Sequence, residues 1–202
     1  MYIVGLTGGI ASGKSTVSRT LSRLGARIIN TDEISHQIIE PGEPAWDDIV
    51  AFFGVQVLNP DNTIDRVKLG AIVFQDHDSL MKLNSFTHPR VMERLRSDLK
   101  GIEDEQPDAV VFMEVPLLYE THMEKLCREV WVVWVDSETQ ITRLMARDSI
   151  DRDYALRRIA SQMSLEEKAE RADRIIDNSG SIEETIVITT RFFNEILQPP
   201  VV

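Results

Sequence analysis

No apolar stretch of the sequence approaches the roughly 20 residues that a helix needs to cross a bilayer, so no segment reads as a membrane span. Cysteine is nearly absent. The one thiol, Cys127, excludes an internal disulfide and a cysteine metal cluster and points to a reducing compartment, the cytoplasm. It falls in a stretch after Glu120 that reads as helical and has no base partner, which argues against a catalytic thiolate. Positive charge is scarce: 22 Lys and Arg stand against 33 Asp and Glu, a net charge of −11. A duplex-binding protein would carry a basic face, so no nucleic-acid partner is expected. The chain enters an apolar run at Tyr2 with no basic leader, so no signal peptide is expected. Repeats, low-complexity segments and interdomain linkers are missing too. The 202 residues suffice for one α/β domain with insertions or with a lid.

Against this background one segment stands out. Gly8-Gly9-Ile10-Ala11-Ser12-Gly13-Lys14-Ser15-Thr16 follows the phosphate-loop pattern Gly-x-x-x-x-Gly-Lys-Ser/Thr. The strand-like Tyr2-Ile3-Val4-Gly5-Leu6 precedes it. A helix from 14 to 24 follows, with Val17, Leu21 and Leu24 on one face and Gly25 as its stop. Glycine backbones let successive N–H groups turn toward an anion at a helix N-terminus. Gly9, Ala11, Ser12, Gly13, Lys14, Ser15 and Thr16 are therefore the candidate ATP contacts, with Lys14 on the outer phosphates and the Ser15 hydroxyl on Mg²⁺. In a chain this acidic, the positive charge must be concentrated locally.

Strands are expected at 26–30, 109–113, 129–135 and 174–178. Helices are expected at 33–39, 138–148 (capped by Asp136 or Ser137), 152–162 and 165–172, with a last one to 197 opened by a Ser181/Glu184 capping box. Residues 43–105 lack a βαβ rhythm and read as broken helices at 45–53, 66–73, 79–84 and 89–100. Strands alternating with helices imply a parallel, doubly wound sheet whose ligands bind beyond the strand C-termini. That placement selects the candidate residues, and each has a structural alternative. Asp32 is a base or orienter for an attacking hydroxyl, or a helix N-cap. Glu114 holds Mg²⁺ through water, or simply ends a strand; Pro116 and Leu117 follow it at the mouth of the sheet. Arg143 and Arg147 share a helix face and, with Arg158, clamp the transferring phosphoryl group, or form a solvated face paired with Asp148, Asp151 and Asp153. His88 touches substrate or caps a helix starting at Pro89. Asn178 passes near the adenine or lies in a turn.

Together these stretches resemble the dephospho-CoA kinase family. The resemblance runs through 5–15, Asp32, His88-Pro89, Val115-Pro116-Leu117-Leu118-Tyr119-Glu120, Arg143 to Asp148, Arg158 to Met163, and Ala172-Asp173 with Ile176 to Gly180. Departures are Ala11 where the family often has glycine, expected to matter little, Glu114 where it often has Asp, and Thr31 before Asp32. The resemblance implies an α/β fold of the P-loop nucleoside triphosphate hydrolase class, one domain over 1–202, with a helical acceptor-binding insertion at 33–105 and a helical lid at about 138–165. It implies ATP and Mg²⁺ as cofactors, and transfer of the γ-phosphoryl group to the ribose 3′-hydroxyl of dephospho-CoA. Lys14, Asp32 and Arg143 are then catalytic, Arg147 and Asn178 bind nucleotide, and Asp32, His88, Pro116 and Leu117 bind the acceptor. A monomer or small homo-oligomer is expected. Alternatives are a P-loop kinase of another small nucleoside or nucleotide, or a non-catalytic ATP-binding module. A GTP-dependent switch is disfavoured because no Asn-Lys-x-Asp guanine motif occurs.

Overall fold

The computed structural model describes residues 1–198. They form two compact units: Met1–Ile29 with the chain from Gln106 onward, and Asn30–Glu105.

The first unit is organised by a sheet of β1 (Tyr2–Gly8), β2 (Arg27–Asn30), β3 (Val110–Glu114), β4 (Glu129–Trp134) and β5 (Arg174–Asp177), in the order β2-β3-β1-β4-β5. β1 pairs in parallel with β3 and β4, and β4 with β5. Parallel neighbours need crossover connections, and helices supply them. In chain order the helices are α1 (Lys14–Arg23), α2 (Thr31–Gln37), α3 (Pro44–Phe53), α4 (Arg66–Val73), α5 (His77–Glu105), α6 (Ser137–Asp148), α7 (Arg152–Ala160), α8 (Leu165–Glu170) and α9 (Ile182–Leu197). Val110–Met113 and Val130–Val133 are buried throughout, which is why these strands are apolar without alternation. Val4, Leu6, Phe112, Trp131, Val133 and Ile176 pack against Val17 and Leu21 of α1 and Phe193 of α9. Phe112 meets Trp131 edge to face, ring centroids 4.9 Å apart. β1 is hydrogen-bonded on both sides, so the glycine loop leaves the rigid middle of the sheet.

Helix starts follow local chemistry. Asp136, Asp151 and Ser164 cap α6, α7 and α8, and Ser181 with Glu184 forms the expected capping box on α9. α7 stops two residues earlier than expected: the Gln162 N–H turns to the Ile159 carbonyl at 3.2 Å, and the Met163 N–H that follows donates to Glu120 Oε1 at 2.9 Å. α8 is likewise two residues shorter than 165–172. Cys127 is not within a helix: it follows a 3-10 turn at Met123–Leu126. Its Sγ lies 3.6 Å from the Met123 carbonyl, and burial pushes the thiol up to about 12, so it is a packing residue.

The second unit closes over its own core of Ile49, Phe53, Val57, Ile64, Leu69 and Val73, against which Leu80, Leu83 and Phe86 of α5 pack. The expected helices at 79–84 and 89–100 are one helix, α5, which runs through Pro89. An interior proline removes one N–H and crowds the preceding turn, at a cost of about 3 kcal/mol. Here the Arg90 guanidinium donates to the Phe86 carbonyl at 2.7 Å, and apolar packing holds the turns before the proline. His88 therefore caps no helix; it is exposed in the middle of α5. The N-cap reading of Asp32 is also corrected. Asn30 caps α2, accepting from the N–H groups of Asp32 (2.9 Å) and Glu33 (3.4 Å). Asp32 sits in the first turn with its side chain exposed.

Asn30→Ala should lower stability by about 1 kcal/mol and Asn30→Asp should largely preserve it. Urea denaturation followed by far-ultraviolet circular dichroism reads the difference.

Candidate active site

β1 ends at Gly8 and α1 begins at Lys14, so the glycine loop spans the gap between a central strand and a helix N-terminus. Gly13 lies at φ +93°, in the left-handed region. A Cβ there would also strike the Asn178 amide nitrogen, so only glycine fits. The Ser12 N–H turns back to the Gly9 carbonyl (3.2 Å) and the Thr16 N–H to that of Gly13 (3.0 Å). α1 has no side-chain cap and no acidic residue in its first turn. Its leading N–H groups and the positive end of its dipole are uncompensated from within, which is the electrostatic definition of an anion site. The Lys14 ammonium lies over the loop, donating to the carbonyls of Gly8 (3.1 Å) and Gly9 (3.2 Å). Ser15 is exposed at the helix start and Thr16 is half-buried; Ser12 is buried, its hydroxyl without a protein partner among the described residues. Ala11 occupies the left-handed region at φ +60°, where a Cβ costs roughly 1 kcal/mol. Its side chain packs against the cluster of Ile141, Leu144 and Ala155.

Beyond β3, Glu114 accepts a short hydrogen bond from the Ser18 hydroxyl of α1 at 2.6 Å. The Pro116 carbonyl accepts from the Thr7 hydroxyl (3.2 Å) and from Lys168 Nζ (2.7 Å), and Leu117 is 39% exposed. Lys168 is fully buried and pairs with Glu120 Oε1 at 3.0 Å. Burial pulls its pKa down, opposed by the carboxylate. This pair pins the 116–120 stretch to α8.

The three arginines divide. Arg143 Nη1 would lie 4.0 Å from a Cβ on Gly13, which puts the guanidinium beside the loop, and it pairs with no carboxylate among the described residues. Arg147 instead forks onto Asp148 at 2.7 and 3.1 Å, and Arg158 reaches the same carboxylate. Arg147 first, then Arg158, hold Asp148 down at about 2. The reading of a paired helix face thus describes Arg147 and Arg158 here, with Asp148 as the partner; Asp151 is spent as the cap of α7.

Asp32 and His88 both belong to the second unit, and both are exposed. Asn178 is 5% exposed, with its amide turned into the protein. Its nitrogen donates to the Ser12 carbonyl and its oxygen accepts from the Thr185 hydroxyl, each at 2.7 Å.

Two loop-gripping residues went unmarked as site candidates. Gln140 Nε2 donates to the Ile10 carbonyl at 2.9 Å, and Gln162 Oε1 accepts from the Ile10 N–H at 3.1 Å. Their partners lie 130 and 152 residues away in the chain, so periodicity could not find them. Gln162 at least lay within a family-like stretch. Ser18 and Lys168 read as ordinary helix residues for the same reason.

A family model described as dephospho-CoA kinase matches residues 2–184. A dephospho-CoA kinase of Carboxydothermus hydrogenoformans is 51% identical over 183 residues, covering 91% of this chain and 88% of that protein. Among solved structures, TT1252 from Thermus thermophilus is similar with a TM-score of 0.86 and 30% identity, over 98% of each chain. Dephospho-CoA kinase from Campylobacter jejuni is similar with a TM-score of 0.73 and 31% identity, over 96% of each chain.

Lys168→Met should destabilise the fold by about 3 kcal/mol, because it strands the Glu120 carboxylate against a buried apolar group. The double variant with Glu120→Gln should recover part of that loss, read as the midpoint of urea unfolding.

Proposed function

The chain belongs to the dephospho-CoA kinase family, and from that premise we propose how its residues carry the family's reaction, the ATP-dependent phosphorylation of dephospho-CoA in coenzyme A biosynthesis. The observation that carries the proposal is the uncapped, uncompensated N-terminus of α1, with Lys14 beside it and Arg143 at Gly13. Phosphoryl transfer asks a protein mainly for positioning and charge neutralisation. The loop residues Gly9 and Ala11 to Thr16 bind the ATP phosphates; Lys14 and Arg143 offset the charge that builds on the γ-phosphoryl oxygens. Asp32, freed from capping by Asn30, accepts the proton of the ribose 3′-hydroxyl as its oxygen bonds to the γ-phosphorus and the bond to ADP breaks. His88, Pro116 and Leu117 contact the acceptor. α6 and α7 serve as a lid, in which Arg147 and Arg158 leave Asp148 for phosphate on closure.

Mg²⁺ suits the oxygen donors present: the exposed Ser15 hydroxyl in the first turn of α1 and, through water, Glu114, whose carboxylate Ser18 orients. When bound, it neutralises charge on the β- and γ-phosphates. The single thiol suits a reducing compartment, and the cytoplasm is the proposed location.

ADP release measured with Mg²⁺-ATP, comparing dephospho-CoA with adenosine, AMP and pantetheine, tests the whole reading. Turnover selective for dephospho-CoA is expected. Turnover with another acceptor instead would overturn the substrate, and ATP binding without turnover would overturn the enzyme. Lys14→Ala should cut kcat by roughly 100-fold or more with the fold intact. Asp32→Asn should lower kcat by about 100-fold while KM for dephospho-CoA changes little. A change confined to KM would make Asp32 an orienter rather than a base.

A further inference from the structure

The trans peptide is planar, so its C=O and N–H point in opposite directions. Holding a loop carbonyl on one side therefore aims the next residue's N–H toward the other. In this loop the holding is done by amide side chains from outside the motif. Gln140 Nε2 holds the Ile10 carbonyl, which turns the Ala11 N–H away from Gln140. Asn178 Nδ2 holds the Ser12 carbonyl, which turns the Gly13 N–H away from Asn178. Neither N–H meets a backbone acceptor among the described residues. The peptide before these is oriented the other way. The Gly9 carbonyl accepts from Ser12 N–H and from Lys14 Nζ, both at 3.2 Å, and the Ile10 N–H of that peptide goes to Gln162 Oε1.

The chemistry of the partners fixes which end of each amide faces the loop. A carbonyl only accepts, so nitrogens must face Ile10 and Ser12; an N–H only donates, so the oxygen of Gln162 must face Ile10. Gln140 and Asn178 are each 5% exposed, so water does not compete for these contacts. The glycines are cut to fit the amides: a Cβ on Gly9 would strike Gln140 Nε2, and one on Gly13 would strike Asn178 Nδ2.

We propose that Gln140, Gln162 and Asn178 are positioning residues that set the direction of the loop N–H groups, and through them the binding of the ATP phosphates. Gln140 lies on α6 and Gln162 just beyond α7, so both ends of the lid segment grip the single residue Ile10. Asn178 does the same for Ser12 from beyond β5 and is anchored in turn by Thr185 of α9. The inference rests on the kinase reading above, since it specifies how that site holds ATP.

Steady-state kinetics of Gln140→Glu, Asn178→Asp and Gln162→Met test it, with thermal midpoints taken with and without Mg²⁺-ATP. The first two keep shape but set an oxygen against a carbonyl; the third removes an acceptor. KM for ATP should rise about tenfold or more and kcat should fall by a similar factor, while KM for dephospho-CoA stays within about twofold. The rise in thermal midpoint on adding Mg²⁺-ATP should shrink. A protonated carboxyl regains a donor, so the activity of Gln140→Glu relative to the parent at each pH should recover as pH falls; Gln140→Met should show no such recovery. Folded variants that match the parent in both constants would overturn the proposal, as would equal losses toward both substrates that track the thermal midpoint alone. If Gln140→Glu does not fold, Gln140→Met carries the kinetic comparison. Absence of turnover in the parent would sink the kinase reading instead, and the nucleotide-induced midpoint shift would still judge the proposal.

Discussion

A backbone that offers its N–H groups to an anion cannot satisfy itself, and the rest of the molecule is arranged around that constraint. The loop between β1 and α1 makes few internal hydrogen bonds of its own: Ser12 to Gly9, Thr16 to Gly13, and the Lys14 ammonium back to Gly8 and Gly9. The Ile10 and Ser12 carbonyls and the Ile10 N–H find their partners from behind. Those partners come from α6 and the end of β5 for the carbonyls and from the turn after α7 for the N–H, all far along the chain. The order β2-β3-β1-β4-β5 places β1 in the interior of the sheet, where later elements can reach the loop it carries. Sheet topology, helix ends and amide contacts thus serve the same requirement.

The charge balance obeys the same logic. A net charge of −11 would repel a polyanion from most of the surface. The local field at the start of α1 owes as much to what is absent as to what is present. The first turn of α1 carries no carboxylate, whereas α2, α8 and α9 each carry two. Those acids stabilise their own helices through the dipole, and α1 forgoes that gain so that its positive end stays available. Arg143 adds its charge beside Gly13, while Arg147 and Arg158 share the single carboxylate of Asp148.

Legibility in the sequence followed the range of the interaction. The glycine loop, the apolar β3 and β4, and the Ser181/Glu184 capping box are encoded by neighbours, and the structure contains them where local reading puts them. Pro89 misled because its local cost is real, and packing of the preceding turns against the core of the second unit holds the helix through it. Asp32 misled as a cap because two competent caps, Asn30 and Asp32, stand close together, and the strand ended at the first of them. The amides of Gln140 and Gln162 and the ammonium of Lys168 could not be read at all. Their significance lies wholly in distant partners: Ile10 for the two glutamines, Pro116 and Glu120 for Lys168.

Ala11 shows how such distant contacts reweigh a local rule. A left-handed φ of +60° favours glycine, and by propensity alone alanine is the wrong residue there. Yet its methyl group packs, with Ile10, against Ile141, Leu144 and Ala155, the cluster that joins α6 to α7. Burying a methyl contributes on the order of 0.8 kcal/mol, and alanine restricts the unfolded chain more than glycine does. Those two terms offset part of the conformational penalty, Ala11 being only partly buried, so alanine is tolerated where glycine would be conformationally easier. The consequence is structural. The residue that strains the loop is also one that ties it to α6 and α7, next to Ile10, whose carbonyl Gln140 holds and whose N–H Gln162 holds. A glycine at this position would relieve the backbone and loosen that tie together, so backbone conformation at Ala11 and packing of the α6–α7 pair form one coupled property of this chain.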